Sequence, residues 1–535
     1  MTRVVLLGAP PGPISPPPLG GQPALPADIT LQSLPGAPSA YDRLLAQAAA
    51  LDPEPTTIAR PGDAAAYQRP YGRVVQSRDV AGDLRTLADA VEGAEENLLI
   101  LPADSLVHDE LIYQITKAKR GAIALVVRQQ REEVDENAPP AEETEEVPIE
   151  EAEPEIGEKV IEGLPQRTRI GRSRIVSVGT AYHAVTRPNA ALLGPLHLHQ
   201  RHLPTLAEVA RELADMAHLF GPEDDVTELV VLGLIRRGVS VGRRGRRDLF
   251  FRRIRSQAEA DEALAEMAGY NEDRARLNNA VKGADGFFTT FFVSTYSRFI
   301  ARWAARRGLT PNQVTLISIA LGLLSAGAFA TGTRWGAVAG AVLIYFAFVF
   351  DCVDGQVARY ARKFGVLGAW LDATFDRFKE YAVFVGLAVG ATVSGQFGDG
   401  EGVWTLALVA VALQSVKHLL DFSFGAANRR KAPVPLPTLD LTVADDRPLR
   451  EALEQRRASR STGVRGLLKL WTKAGKFRLV HWARKMIVFP IGERFAAIAI
   501  TAAFFNPRVT FLTLIVWGAV AATYTLTGRL LRSLA

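Results

Sequence analysis

The feature that most limits how this chain can fold is a series of apolar stretches, each near twenty residues long, that begins after residue 310. Such a stretch is long enough to cross the hydrocarbon core of a bilayer as a helix with its backbone hydrogen bonds closed internally. Length and flanking charge predict spans at Asn312–Gly332, Trp335 to about Arg362, Leu367–Ser394, Val403–Phe424, Met486–Phe505 and Arg508–Leu530, a six-helix membrane domain over 309–535. Ahead of the first span, aromatics alternate with Arg298, Arg302, Arg306 and Arg307 in an amphipathic pattern, which predicts a juxtamembrane helix at 280–308 lying along the membrane surface.

Lysine and arginine mark the sides. Arg298 to Arg307 precede the first span, Arg359, Arg362 and Lys363 follow the second, and Arg429–Lys485 holds 15 basic against 5 acidic residues. The alternate loops are poor in charge, so both termini and the basic loop at 428–485 are expected in the cytosol. Met1–Gly12 has one basic residue and a short apolar run before prolines, which does not resemble a signal peptide, and the N-terminal half is expected to stay cytosolic. The single cysteine, Cys352, excludes an intrachain disulfide and a cysteine-based zinc site. A net charge of +5 over 535 residues gives no reason to expect nucleic acid as a partner.

Residues 1–275 alternate short apolar runs with amphipathic patterns, as an α/β domain does. Arg3–Gly8, Asn97–Leu101, Ala122–Val127 and Leu229–Ile235 read as strands, and helical patterns fall at about 81–92, 204–219 and 257–268. Between Glu132 and Glu158 lie 13 acidic residues, four prolines and no basic residue, the composition of a solvated, disordered insertion. His197, His199 and His202 offer metal-type side chains but sit beside Pro195 and Pro204, where a loop is the simpler reading. Arg243–Arg247 reads equally as a solvated turn or an anion contact.

The residues that carry chemistry flank the turn between the second and third spans. Asp351 and Asp354 are three apart, and Asp372 and Asp376 are four apart, so each pair projects from one helical face. A short turn would make the two helices antiparallel neighbours, with four carboxylates converging at the cytosolic end. An aspartate at the bilayer centre costs about 2.5 to 3.5 kcal/mol, and like charges repel besides, so bound cations are the natural compensation. Hard carboxylate oxygens suit magnesium or manganese, and a cluster of this kind has room for two ions that also hold a substrate diphosphate. Gly355, Ala358 and Gly368 would let a nucleotide approach the backbone, and the Arg359 guanidinium answers phosphate.

The full run, D-x2-D-G-x2-A-R-x8-G-x3-D-x3-D from Asp351 to Asp376, is matched without a gap and resembles the signature of the CDP-alcohol phosphatidyltransferases. The resemblance implies that Asp351, Asp354 and Asp372 hold two Mg2+ or Mn2+ ions, with Asp376 beside them as general base. It further implies that Asn312, Gly355, Ala358, Arg359 and Gly368 line the CDP site. Leu309–Thr315 is similar to the family's first-span opening, and Thr310 followed by Pro311 also reads simply as a helix cap. Lys417, His418, Arg377 and Lys379 are candidates for acceptor contacts.

Lys282–Gly286 and the arginine-rich helix resemble the juxtamembrane part of enzymes that fuse an inositol-phosphate cytidylyltransferase to this membrane fold. Leu101-Pro-Ala-Asp104 after a strand resembles a nucleotidyltransferase, where the aspartate would hold a metal. Gly8-Ala-Pro-Pro-Gly-Pro replaces that family's glycine-rich opening and offers no lysine for a triphosphate, so the domain is expected to be degenerate. The expected activity is transfer of a phosphoalcohol group from CDP-diacylglycerol to an acceptor hydroxyl, in phospholipid biosynthesis at a bacterial plasma membrane. The alternatives are a bifunctional enzyme that makes and uses CDP-inositol, and a non-catalytic scaffold or transporter. Expected partners are the CDP-linked donor, the alcohol acceptor, the bilayer and a second copy of the chain.

Overall fold

The computed structural model describes residues 2–8, 39–117, 121–128, 167–171, 174–221, 224–245, 249–254, 257–282, 286–395, 401–430, 437–458 and 478–534. The acidic stretch 132–158 and residues 9–13 of the proline-rich opening lie outside them. The chain forms two compact units, Met1–Glu272 with Val434–Arg457, and Asp273–Pro433 with Ala458–Ala535.

The first unit is built on β1 (Thr2–Leu7), β2 (Thr56–Ala59), β3 (Arg73–Gln76), β4 (Asn97–Pro102), β5 (Ser105–Val107), β6 (Ala122–Arg128), β7 (Thr168–Ile170), β8 (Ile175–Val178), β9 (Ala190–Leu198), β10 (Val241–Arg244) and β11 (Phe251–Arg253). The main sheet runs β10-β6-β9-β4-β1-β2-β3, and β5 pairs with β11 apart from it. β1 is parallel to β2 and β4, whereas β9 is antiparallel to β4 and β6. Helices α1 (Ala40–Ala49), α2 (Val80–Val91), α3 (Asp109–Thr116), α4 (Leu203–Asp215), α5 (Val226–Arg236) and α6 (Gln257–Gly269) accompany the strands. Because both sheet faces are covered, β1 and β4 are buried almost throughout and read as continuous apolar runs.

Leu229–Ile235, expected as a strand, lies inside α5. Every residue from Leu229 to Arg236 is buried, so the run shows no amphipathic period from which helix could be told from strand. What fixes the helix is Asp225, whose side chain caps the Thr227 N–H at 2.8 Å.

Part of the expected basic loop belongs to this unit. Arg236 donates to the carbonyls of Val443 (3.2 Å) and Asp445 (2.8 Å), and Leu439 N–H donates to the Arg236 carbonyl at 2.8 Å. Ala184 N–H donates to the Ala444 carbonyl at 2.8 Å, and the Thr186 hydroxyl reaches Asp446 at 2.8 Å. Leu441 and Leu449 insert into the core formed by α2, α4 and α5. The chain therefore leaves the membrane half, completes the α/β core and returns.

The second unit comprises the bulk of α7 (Glu272–Ala280), a π-helical turn at Thr289–Val293, α8 (Ser294–Arg306), α9 (Pro311–Ala330), α10 (Arg334–Tyr360), α11 (Val366–Val393), α12 (Glu401–Arg430), α13 (Arg478–Ile487), α14 (Ile491–Phe504) and α15 (Pro507–Leu534). Among the described residues, four helices are long and apolar enough to span a membrane, or five if α13 and α14 form one bent span, against the six expected. α11 falls short on composition because Asp372, Asp376, Arg377, Lys379 and Glu380 crowd its first half. The expected fifth span is broken by 75° between α13 and α14, where Phe489 takes a left-handed φ of 56° ahead of Pro490.

α9 is the hub of the bundle. Both α10 and α11 pack against it, so the two aspartate-bearing helices are joined through α9 as well as by their short turn. Small residues permit the close approach: a Cβ on Gly386 would stand 2.3 Å from the Ala326 carbonyl oxygen, and one on Gly390 2.0 Å from that of Phe329. Thr310 and Gln313 form a reciprocal capping box that starts α9 beside the turn.

Candidate active site

α10 carries Asp351 and Asp354 at its C-terminal end, and α11 carries Asp372 and Asp376 in its first turns. Oxygens of Asp351, Asp372 and Asp376 lie within 4.8 Å of one another. Asp354 is turned toward α9, where its Oδ2 accepts from the Thr315 hydroxyl at 2.6 Å. Asp376 Oδ1 is buried without a hydrogen-bond partner, although Lys379 Nζ stands 3.1 Å away. Three crowded carboxylates with an unsatisfied buried oxygen are a donor set suited to a hard divalent cation, and the residues present fit the magnesium or manganese that the motif implies.

The residues expected around a nucleotide gather on the same rim. A Cβ on Gly368 would stand 2.8 Å from Asn312 Oδ1, so the start of α11 lies directly against the start of α9. A Cβ on Gly355 would stand 3.2 Å from Arg359 Nη1, so the guanidinium folds back over that glycine. Arg359 Nε donates to the Ala280 carbonyl, which fixes its direction. Ala358 follows on the same turn of α10, half-buried.

The cations expected to meet an acceptor are spread more widely. Lys379 is fully buried and donates to Asp351 Oδ1 at 2.6 Å and Ser318 Oγ at 2.8 Å. Lys417 donates to the carbonyls of Val488 (2.7 Å) and Phe489 (3.1 Å), which the break between α13 and α14 leaves without helical partners. His418 contacts Gln414 at 2.8 Å and Tyr381 at 3.3 Å. Arg377 donates to the Ala373 carbonyl one turn back on its own helix.

Sequence reasoning assigned no role to Thr315, Ser318 or Arg494. Arg494 on α14 makes a buried two-pronged contact with Glu380, at 2.8 and 3.2 Å, and also donates to the Phe489 carbonyl at 3.0 Å. Its signal in the sequence is an ionisable residue inside an apolar segment, which calls for a partner in the bundle.

In the α/β unit, Asp104 is also buried, but a cation of the chain already holds it. Arg253 Nε donates to both Asp104 oxygens at 3.0 Å, and its Nη1 donates to Asp225 at 2.9 Å. Burial opposes the guanidinium charge, and the two carboxylates more than offset it, so the Arg253 pKa is raised. His197 lies buried on β9, and burial pushes its imidazole down to about 4. His199 accepts from the Arg201 N–H and His202 from the Arg201 side chain. Arg243 and Arg244 belong to β10.

Residues 308–444 match the sequence profile of the CDP-alcohol phosphatidyltransferase family, so the chain carries a domain of that kind. A phosphatidylinositol phosphate synthase of Mycolicibacterium smegmatis is 42% identical over 92 residues, 17% of this chain and 40% of the relative. An archaetidylinositol phosphate synthase of Pyrococcus horikoshii is 35% identical over 94 residues, 18% of this chain and 48% of the relative. A bifunctional IPC transferase and DIPP synthase of Aquifex aeolicus is 30% identical over 122 residues, 23% of this chain and 27% of the relative. The chain thus matches less than half the length of each of these proteins. Among solved structures, the Mycobacterium tuberculosis phosphatidylinositol phosphate synthase with CDP-DAG bound aligns over 43% of this chain and 89% of its own, at 22% identity and a TM-score of 0.27. A UDP-glucose pyrophosphorylase of Acinetobacter aligns over 50% of this chain and 93% of its own, at 12% identity and a TM-score of 0.28.

Proposed function

We propose that this protein transfers a phosphoalcohol group from a CDP-linked donor to an acceptor hydroxyl and releases CMP. The observation that carries the reading is the meeting of Asp351, Asp372 and Asp376 at the turn between α10 and α11, with Asn312, Gly355, Arg359 and Gly368 on the same rim. A divalent cation bound there, magnesium or manganese, would neutralise the donor diphosphate and the departing CMP. Gly355 and Gly368 leave room for Arg359 and Asn312 at the rim, and Arg359 supplies charge to the donor's phosphates. Asp376 takes the proton from the acceptor hydroxyl. The acceptor oxygen then bonds to the phosphorus that carries the alcohol, while the bond from that phosphorus to CMP breaks and CMP leaves with the electron pair.

CDP-diacylglycerol is the donor we favour, since α9 and α10, which border the site, are long and apolar enough to cross a bilayer. The acceptor is a hydroxyl compound, and a polyol phosphate fits a site bordered by Arg359. A bifunctional enzyme that also makes its own CDP-alcohol is disfavoured, because Arg253 already occupies Asp104 and Asp225. We place the α/β unit and the active site on the cytosolic face of the plasma membrane. The seating of Leu441 and Leu449 in the α/β core supports a shared side for that unit and the basic loop, whose charge marks the cytosol.

The test is CMP release by the purified full-length protein given CDP-diacylglycerol, a divalent cation and a panel of polyols and polyol phosphates, with the lipid product identified by mass spectrometry. CMP release that requires both cation and acceptor is expected. Absence of release from every CDP-alcohol offered would overturn the reading. For orientation, Cys352 is replaced and single cysteines are placed in Arg429–Lys485; these should resist an impermeant thiol reagent applied outside cells.

A further inference from the structure

The Lys379 side chain has no part in the reaction as derived above, yet the fold is shaped to receive it. Its stem runs along a slot in α9, where a Cβ on Gly322 would stand 2.8 Å from Lys379 Cγ and 3.1 Å from Cδ. At the end of the slot Ser318 Oγ accepts from the ammonium at 2.8 Å and donates to the Ala347 carbonyl at 2.8 Å. The serine and the glycine therefore hold the lysine in place independently of the carboxylates. From there Nζ reaches Asp351 Oδ1 at 2.6 Å and Asp376 Oδ1 at 3.1 Å.

The charges then favour a different metal count from the one the motif implies. Three carboxylates share the central space, and Asp354 is engaged by Thr315 on the α9 side. The ammonium already occupies Asp351 Oδ1 and Asp376 Oδ1, two of the oxygens around which a pair of ions would have to be held, and leaves room beside Asp372 for one divalent cation. A second ion would stand against the fixed ammonium and compete with it for Asp351 and Asp376. We propose that Lys379 takes the place of one cation, so that the site binds a single divalent ion where the family resemblance implies two. This rests on the reaction proposed above and adds Lys379 to it as a positioning residue, which fixes Asp351 and Asp376 around the remaining ion.

The experiment counts ions. Full-length protein, stripped with EDTA and titrated with Mn2+, should bind one ion per chain by electron paramagnetic resonance and by elemental analysis after desalting. K379M, which removes the charge and keeps the stem, should bind two, and K379R should stay at one. If K379M does not fold, K379Q keeps a donor for Ser318 and carries the same expected count. Two ions in the wild type would overturn the proposal, as would a single ion in the folded neutral variant, and either result would leave CMP release intact as evidence for the reaction. No bound Mn2+ together with no CMP release would instead defeat the proposed reaction, and this inference with it.

Discussion

Two buried clusters of carboxylate and cation, one in each unit, resolve the same electrostatic problem differently. In the α/β unit one guanidinium spans Asp104 and Asp225, with three contacts at 2.9 to 3.0 Å, and leaves those carboxylates little need of an ion. In the membrane unit one ammonium pairs with Asp351 at 2.6 Å and Asp376 at 3.1 Å and is outnumbered by the three carboxylates gathered there. A planar fork that matches its carboxylates closes a site, whereas a point charge outnumbered by carboxylates keeps one open for a divalent ion. The difference teaches that an aspartate motif is informative only together with the cations the fold brings to it.

The largest effect should come from breaking the open cluster. Asp376→Asn should slow turnover by roughly 100- to 10,000-fold, the range of general-base catalysis, while CDP-diacylglycerol affinity stays near normal. Donor affinity and CMP release measured across a magnesium titration test this; a defect fully rescued by excess metal would reassign Asp376 to metal binding alone. Asp351→Asn and Asp372→Asn should instead weaken metal and donor binding together.

Breaking the closed cluster should affect stability and leave chemistry alone. Arg253→Ala strands two buried carboxylates, for which a loss of about 3 to 5 kcal/mol is expected. Thermal unfolding followed on the full-length protein should show the α/β transition falling sharply, with CMP release per folded molecule unchanged. A coupled loss of turnover would mean that this cluster serves the reaction.

Leu441→Ala tests whether the returning segment is part of the α/β core. Leu441 is fully buried, so the truncation should cost about 2 to 5 kcal/mol of α/β stability. A transition that does not move would show the segment to be only a tether.

The smallest effect is a pH dependence. Burial, with Asp225 adding, pushes the Glu228 carboxyl up to about 8 from an ordinary 4.5. The unfolded chain therefore releases this proton at lower pH than the folded unit does, and α/β stability should fall as pH rises from about 4.5 to about 8. Glu228→Gln should flatten that slope, which a series of melting temperatures between those values would detect as a shift of a few degrees.

The membrane character of the C-terminal half, the α/β character of the N-terminal half and the aspartate motif were legible in the sequence because each rests on local order: span length, alternating patterns and carboxylates at helical spacing. Leu229–Ile235 was misread as a strand, since burial on all sides erases the periodicity that separates strand from helix. The bend at Phe489 was equally hidden, as its freed carbonyls are satisfied by Lys417 from a distant stretch of chain and by Arg494 one turn into the next helix. By itself, then, the sequence brought Asp351, Asp372 and Asp376 together through one turn, but it put Asp354 among them, and the structure instead turns Asp354 to Thr315 on α9. Only the tertiary structure decided which cations meet them: Lys379 reaches Asp351 through a slot that Gly322 opens in α9, and Arg253 reaches Asp104 across 149 positions of chain. Charge compensation acts through space, and the partners it selects leave no spacing for a linear reading to find.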